Sequence, residues 1–561
     1  MARASKDQIP VIDLFAGPGG LGEGFSRFPF RGDPRFRIVL SIEKEKSAHK
    51  TLLTRAFYRE FATKGVPEAY YEHLRGRLTQ EEMFEFDGRC REAAKTAMAE
   101  ALCIELGEPA DKEAPAVEKK KRRLQTKRLV RKLISERIKG HEHWVLIGGP
   151  PCQAYSLAGR SRMRGVVQRP DESVEDFDER KRKAEAAFEN DHRHLLYREY
   201  LSIIADHWPS VFVMENVRGL LSARLGGQLI FPLIQKDLAN PNEALGKKGR
   251  GMSYRISSLV VPELIAGSGL EKEDFLIHAE DFGVPQQRHR VILLGVREDL
   301  EIDRFSVLTR KDAPALKTAL NGLPELHPGV TKPSRSLGSV LAEIRDAPWL
   351  KDLGRGHFGR QDSQKLKREI VQAINEASSR NLGQGGNFIP LRRSKSVPGD
   401  LGEWLADPRL GGVCNHQTKA HMAEDLHRYI FVSAFGKVFG RSPTLSDFPE
   451  ELLPEHENVK GEDRDLKKFA DRFRVQLAEG PAKTITCHIS KDGHANIHPD
   501  PAQLRALTVR EAARIQTFPD NYFFEGSRTE QYTQVGNAVP PYLAHQIAAI
   551  VAELFDQFVR S

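Results

Sequence analysis

The segment GGPPCQAYS, residues 148–156, sets a single cysteine, Cys152, behind two prolines. Proline rings stiffen the backbone ahead of the thiol. A stiff mount suits a nucleophile that must sit at a fixed distance from its target. The plain alternative is a buried packing cysteine, which the Pro-Pro and Gln neighbours disfavour. In VFVMENVRGL, residues 212–221, Glu215 closes another apolar run. A carboxyl beside a nucleophilic thiol can protonate or hydrogen-bond the ring under attack; the alternative is a salt bridge at a sheet edge. In PQQRHRVILLGV, residues 285–296, Arg288 and Arg290 alternate at the start of a strand. One is expected to face the crevice and the other the opposite side. An arginine fork can grip a carbonyl or phosphate, or merely form a surface pair.

A fourth motif concerns a bound molecule. In DLFAGPGGLGEGF, residues 13–25, Gly17, Gly19 and Gly22 fit G-x-G-x-x-G after a strand and before a helix. Glycines there allow a sharp turn and close backbone approach to a ligand. Glu43, about twenty residues beyond the motif, could bind a ribose. The pattern points to an adenosine-containing cofactor and leaves NAD, FAD and S-adenosylmethionine open, as well as a glycine turn without a ligand.

These residues need a frame. The runs PVIDLFAG (10–17), FRIVLSIE (36–43), HWVLIGGPP (143–151) and SVFVMENV (210–217) are short, rich in Val and Ile, and do not alternate. They read as strands buried on both faces of a parallel sheet, with helices between. In such sheets the ligand crevice lies at the carboxyl ends of the strands. An antiparallel pair follows, DFLIHAEDFG (274–283) and HRVILLGV (289–296). The stretch 56–140 is polar and reads as helical. Its run EKKKRRLQTKRLVRKLISERIKG (118–140) is either a solvated, charge-laced helix or a helix along nucleic-acid phosphates. From about 300 to 500 the alternation is lost, although HMAEDLHRYIFVSAFGKVF (421–439) reads as a helix; this region reads as a separate domain. The late amphipathic helix in QVGNAVPPYLAHQIAAIVAELF (534–555) suggests that the chain end returns to the first domain.

With 561 residues, two or three domains are expected. Lys and Arg number 85 against 77 Asp and Glu, a net +8 that mildly favours a polyanionic partner. The five cysteines show no CxxC spacing, so neither a zinc site nor a disulfide framework is indicated. No signal-peptide or membrane-helix run is read, and a cytoplasmic setting is expected.

Taken together, DLFAGPGG, GGPPCQAYS, ENVRGL, QQRHRVILLGV, LTVREAARIQTFPD (507–520) and QVGNAVPPYLA (534–544) resemble, in order, the DNA cytosine-5 methyltransferase family. The resemblance covers roughly 9–56, 141–300 and 480–561. It implies a doubly wound, mixed α/β sheet of the S-adenosylmethionine-dependent methyltransferase (Rossmann-like) type. The implied domains are a catalytic core over 1–300 with a helical insertion at about 56–140, an inserted target-recognition domain over 301–504, and a segment over 505–561 returning to the core. It implies that Phe15, Ala16, Gly17, Gly19 and Gly20 line the cofactor site, with Glu43 on the ribose hydroxyls and Pro151 near the methyl donor. Leu196 would pack near the adenine, and Asn537 and Val539 would close the pocket. The segment from Arg514 to Pro519 would brace the DNA-reading domain. The Asp that the family usually places after its third strand has no assigned counterpart, because 56–140 falls there.

The implied chemistry is transfer of a methyl group from S-adenosylmethionine to C5 of a cytosine flipped out of duplex DNA. Cys152 would add to C6, Glu215 would hold the N3 edge and supply a proton, and Arg288 would grip O2 and steady Glu215. Gln153, Ser156, Ala158 and Arg160 are the candidates for DNA contact, within a charged loop (157–190) expected to close over DNA. RRSK (392–395) and NHQTK (415–419) carry residue types that read bases, or are ordinary loops. His488, His494 and His498 could suggest a metal, but the family needs none and no metal is expected. Partners would be double-stranded DNA and a restriction endonuclease or defence system, with the enzyme a monomer. Two readings compete: a transfer-RNA cytosine-5 methyltransferase, and a catalytically silent DNA-binding regulator.

Overall fold

The computed structural model describes residues 4–5, 7–61, 65–107, 116–151, 192–225, 228–249, 251–262, 269–332, 334–353, 358–391, 397–454, 473–491 and 493–558. The four Val- and Ile-rich runs form parallel strands. They are β1 (Ile9–Leu14), β2 (Phe36–Glu43), β4 (Val145–Gly148) and β5 (Val211–Val217), with β3 (Ala101–Cys103) outside β2. The remaining strands are β6 (Tyr254–Ser257), β7 (Leu276–His278) and β8 (His289–Arg297). The sheet order is β3-β2-β1-β4-β5-β8-β6, and β7 also pairs with β8. Strand β8 runs antiparallel to β5, β6 and β7. The sheet is therefore mixed, α/β and doubly wound.

Unbroken apolar runs suit these strands because both faces are covered. Helices α1 (Gly20–Ser26) and α2 (Lys46–Arg59) follow β1 and β2. The 56–140 stretch is not wholly helical: it supplies β3, three residues too short to show a period. Before β3, α3 (Glu68–Leu74), α4 (Gln80–Glu85) and α5 (Gly88–Glu100) bury Tyr70, Met83, Phe84 and Cys90 against Leu52 and Phe57 of α2. Beyond it, α6 (Ala116–Arg137) packs beside α7 (His192–His207). Arg123 and Lys127 pair with Glu199, and Arg131 with Asp206, so part of the basic run is neutralised within the fold.

A separate apolar cluster lies in the second half of the chain. There α8 (Leu337–Asp346), α9 (Arg360–Ser379) and α10 (Ala423–Phe439) bury Ile344, Ile370, Leu426 and Phe431 together. The antiparallel hairpin β9 (Gly385–Pro390) and β10 (Gly412–Gln417) faces the α2–α5 cluster, where Phe388 and Leu410 pack.

The chain ends with α11 (Val509–Ile515), α12 (Arg528–Asn537) and α13 (Pro541–Phe558). Ile547, Val551 and Phe555 of α13 pack with Leu21 and Phe25 of α1 on one sheet face, opposite the face covered by α6 and α7. The span 528–558 holds an 18-residue window apolar enough to cross a membrane, a property missed in the sequence, yet 78% of that window is buried in this core.

Buried charge joins the second half to the end of the chain. Arg505 and Glu511 are 1% and 2% exposed and form a two-pronged pair at 2.7 and 2.7 Å. Glu511 also caps α11 by accepting from Thr508 N. Arg510 donates to the carbonyls of Cys414, Pro519 and Tyr522, and Arg514 binds Asp520 and the carbonyl of Asn321. Glu511→Ala strands the Arg505 charge and should cost about 3–5 kcal/mol in chemical denaturation. A loss below about 1 kcal/mol, the range of solvated pairs, would contradict this.

Candidate active site

The carboxyl ends of β1, β2, β3 and β4 open into a cleft of about 690 Å³, roofed by residues from α12 and the turn before α13. Phe15, Ala16, Gly17, Gly20, Glu43, Pro151, Leu196, Asn537 and Val539 all line it. Gly19 does not; it is the left-handed N-cap of α1, at φ 93°. The turn is tied to the acid: Gly17 N donates to Glu43 Oε2 at 2.8 Å, and Lys44 N and Glu45 N donate to Oε1 at 2.8 and 2.8 Å. Gly20 is required by close approach, since a Cβ there would lie 2.2 Å from the Val539 carbonyl oxygen. Ile42, Ile104 and Leu106 add apolar wall that the motifs did not reveal. The last two follow β3 in ALCIELG (101–107), and that short apolar alternation was the available signal.

This donor set suits an adenosine-bearing cofactor. It offers apolar surface for a flat base, a fixed carboxylate for a diol, and a glycine turn that admits close contact.

At the same edge stands a carboxylate–guanidinium pair. Glu215, at the end of β5, meets Arg290 of β8, with Oε1 and Nε at 2.8 Å, and both line the cleft. Gly149 makes room: a Cβ there would lie 2.9 Å from Glu215 Oε2. Asn216, which the motif reading passed over, is buried and donates from Nδ2 to the Pro150 carbonyl at 3.2 Å. It thereby fixes the backbone leading into Cys152. Cys152 itself, with Gln153, Ser156, Ala158, Arg160 and the rest of the 157–190 loop, lies outside the described residues, as does RRSK (392–395).

Arg288 departs from its expected place. Its buried guanidinium donates to the carbonyls of Ile485 at 2.9 Å and Gly536 at 3.1 Å, and Arg290 steadies Glu215 instead. Alternation could not have separated the two arginines, because residues two apart on a strand share a face. They diverge because β8 starts only at His289, and the preceding Gln286–Gln287 pairs with Ala482–Lys483.

In NHQTK (415–419), Asn415, His416 and Lys419 make contacts within the fold, while Gln417 is exposed. Asn415 donates to the Phe524 carbonyl, His416 meets Thr508 and the Pro324 carbonyl, and Lys419 donates to the Ile489 carbonyl. Burial pushes His416 down to about 4. His494 contacts Tyr429 and His498 faces Glu511, so those histidines also serve contacts within the fold.

Asp13, on the cleft wall, is 1% exposed, and neither carboxyl oxygen has a side-chain partner among the described residues. Burial, opposed by Arg59 and aided by Glu43, raises its pKa from 3.8 to about 8.

Comparison with known proteins adds an independent finding. A family model described as C-5 cytosine-specific DNA methylase matches residues 110–553. The type II methyltransferase M.Bpa9945I of Bacillus paralicheniformis is 32% identical over 554 residues, covering 97% of this chain and 99% of that protein. The type II methyltransferase M.AgeI of Thalassovita gelatinovora is 25% identical, covering 72% of this chain and 82% of its own. The DNA (cytosine-5-)-methyltransferase M.ApeKI of Aeropyrum pernix is 25% identical, covering 76% and 85%.

The Asp13 shift carries a pH signature. Unfolded, the carboxyl releases its proton near 3.8; folded, it keeps it to about 8. The unfolded chain binds fewer protons across that window, so the Asp13 contribution to stability falls as pH rises through it. Asp13→Asn cannot ionise and should gain stability relative to the parent from the lower to the upper end of the window in urea unfolding. A difference that does not change with pH would contradict the assignment.

Proposed function

The chain belongs to the C-5 cytosine-specific DNA methylase family and is a DNA (cytosine-5-)-methyltransferase; from that premise we propose that it methylates one cytosine within a specific duplex sequence through a covalent bond to Cys152. The observation that carries this reading is the Glu215–Arg290 pair, set at the cofactor cleft beside the Pro150-Pro151 segment that precedes Cys152.

S-adenosylmethionine, when bound, supplies a methyl group on a positively charged sulfur. Phe15, Leu196, Ile104 and Pro151 would hold its flat and apolar parts, and Glu43 its ribose hydroxyls. Cytosine C5 is a weak nucleophile by itself. The Cys152 thiolate would add to C6, Glu215 would place a proton on N3, and C5 would become electron-rich enough to take the methyl. Loss of the C5 proton to a base would then expel the thiolate, and return of the N3 proton to Glu215 would restore the neutral ring. Arg290 would grip O2 and keep the Glu215 carboxyl aimed at N3. The target must leave the stack to reach these groups, and Gln153, Ser156, Ala158 and Arg160 would meet the DNA it leaves.

Residues 301–504 would read the sequence in the major groove. Relatives named type II methyltransferases support a restriction–modification setting; a restriction endonuclease or other defence-system protein would be the partner there. A monomer acting in the cytoplasm suffices, since one chain would flip and methylate one base per event.

Duplex DNA carrying 5-fluorocytosine at the target tests the covalent step, because fluorine at C5 cannot leave as a proton. The parent enzyme should form a denaturation-resistant adduct and Cys152→Ala none; an adduct that persists in Cys152→Ala would refute the role of Cys152. Arg290→Ala should lower kcat by about 100-fold or more, as loss of a preorganised donor does, while cofactor affinity holds. Unchanged turnover would remove Arg290 from the chemistry.

A further inference from the structure

We propose that His278, Glu280 and His289 bind one divalent transition-metal ion of the zinc class, and that this ion clamps the hairpin carrying Arg290. One donor atom from each of the three side chains lies within 4.8 Å of the other two. His278 of β7 and His289 of β8 are direct cross-strand partners, and their rings stack at 4.0 Å with planes 11° apart. Glu280 lies in the turn just after β7, and its Oε1 meets His289 Nε2 at 2.8 Å. Its second oxygen, Oε2, is buried and has no hydrogen-bonding partner among the described residues.

The chemistry of the set narrows the ligand. Two imidazoles and one carboxylate are the donors of three-ligand zinc sites, with water completing a tetrahedron. Magnesium and calcium want oxygen throughout and are disfavoured by two nitrogens. Ligands about 2.0–2.1 Å from zinc stand roughly 3.4 Å apart in a tetrahedron. Rotation of the two rings out of their stack, so that their in-plane nitrogen lone pairs converge beside Glu280, would close separations of up to 4.8 Å to that spacing. A shared ion takes a neutral nitrogen from each ring. It also gives the orphaned Glu280 oxygen a partner.

The location gives the ion its consequence. Arg290 donates from Nη1 to the His289 carbonyl at 2.8 Å, so an ion held by His289 steadies the backbone on which Arg290 leans. The effect on catalysis rests on the function proposed above; binding of the ion does not.

Zinc and cobalt titrations of the full chain test the site. Calorimetry should give a zinc equivalent that His278→Ala weakens by about 100-fold and Glu280→Gln by about tenfold, in line with lost ligation. Cobalt should give visible bands in the parent that vanish in His278→Ala. Zinc should raise the Tm of the parent and leave that of His278→Ala and His289→Ala unmoved. Thermal unfolding of the metal-free variants verifies that they fold, and His278, being exposed, can be replaced without disturbing the core. Absence of zinc binding by the parent, or equal binding by parent and His278→Ala, overturns the proposal. None of these readouts uses methyl transfer, so they stand or fall apart from the proposed function.

Discussion

Antiparallel pairing of β8 against β5 is the constraint from which the active edge follows. In a wholly parallel sheet, the start of a strand lies at the far edge from the carboxyl ends where ligands bind. Reversing β8 brings its first residues to that edge. Ile292 pairs with Glu215, which puts Arg290 two residues along on the same face and within ion-pair distance of the carboxylate. The pair sits where β4 ends in Gly148 and the Gly149-Pro150-Pro151 segment begins, and Asn216 of β5 holds that segment by the Pro150 carbonyl. Acid, guanidinium and the approach to the thiol are thus all set by three neighbouring strands.

A second dependence closes the cofactor cleft. Glycine at position 20 lets the backbone at Val539 approach α1 closely, while Arg288 ties the Ile485 and Gly536 carbonyls together beneath it. The end of the chain therefore supplies a cleft wall and the α13 helix that covers one sheet face. Charges buried at Arg505, Arg510 and Arg514 join this segment to residues 319–321, 414 and 520–522. Such pairs add little net stability over apolar packing, but they penalise any arrangement that separates the partners. They tie residues 319–321 and Cys414 of β10 to the returning segment.

Much of this was legible in the residues. Buried parallel strands need continuous Val and Ile, and four such runs became β1, β2, β4 and β5 at the places read. The glycine turn and Glu43 were visible because close backbone approach excludes most side chains. Strand β3 was not read, since its three residues carry no period by themselves, the alternation through Leu106 is brief, and its identity comes from pairing with β2. The pairing with Glu215 was expected of Arg288 and falls to Arg290, because a strand start cannot be located from sequence to within one residue. The 415–419 segment looked exposed by composition, yet Asn415, His416 and Lys419 make contacts within the fold that only tertiary packing reveals.

The central claim is that this cleft delivers a methyl group to cytosine C5 in duplex DNA. The direct measurement supplies the purified enzyme with S-adenosylmethionine labelled in the methyl group, unmethylated genomic DNA and, separately, transfer RNA, followed by bisulfite sequencing of the product DNA. The account predicts label in DNA alone, at cytosines within one recurring sequence, and none with Cys152→Ala. Label in transfer RNA alone, or none in either nucleic acid while the cofactor still binds, would contradict it.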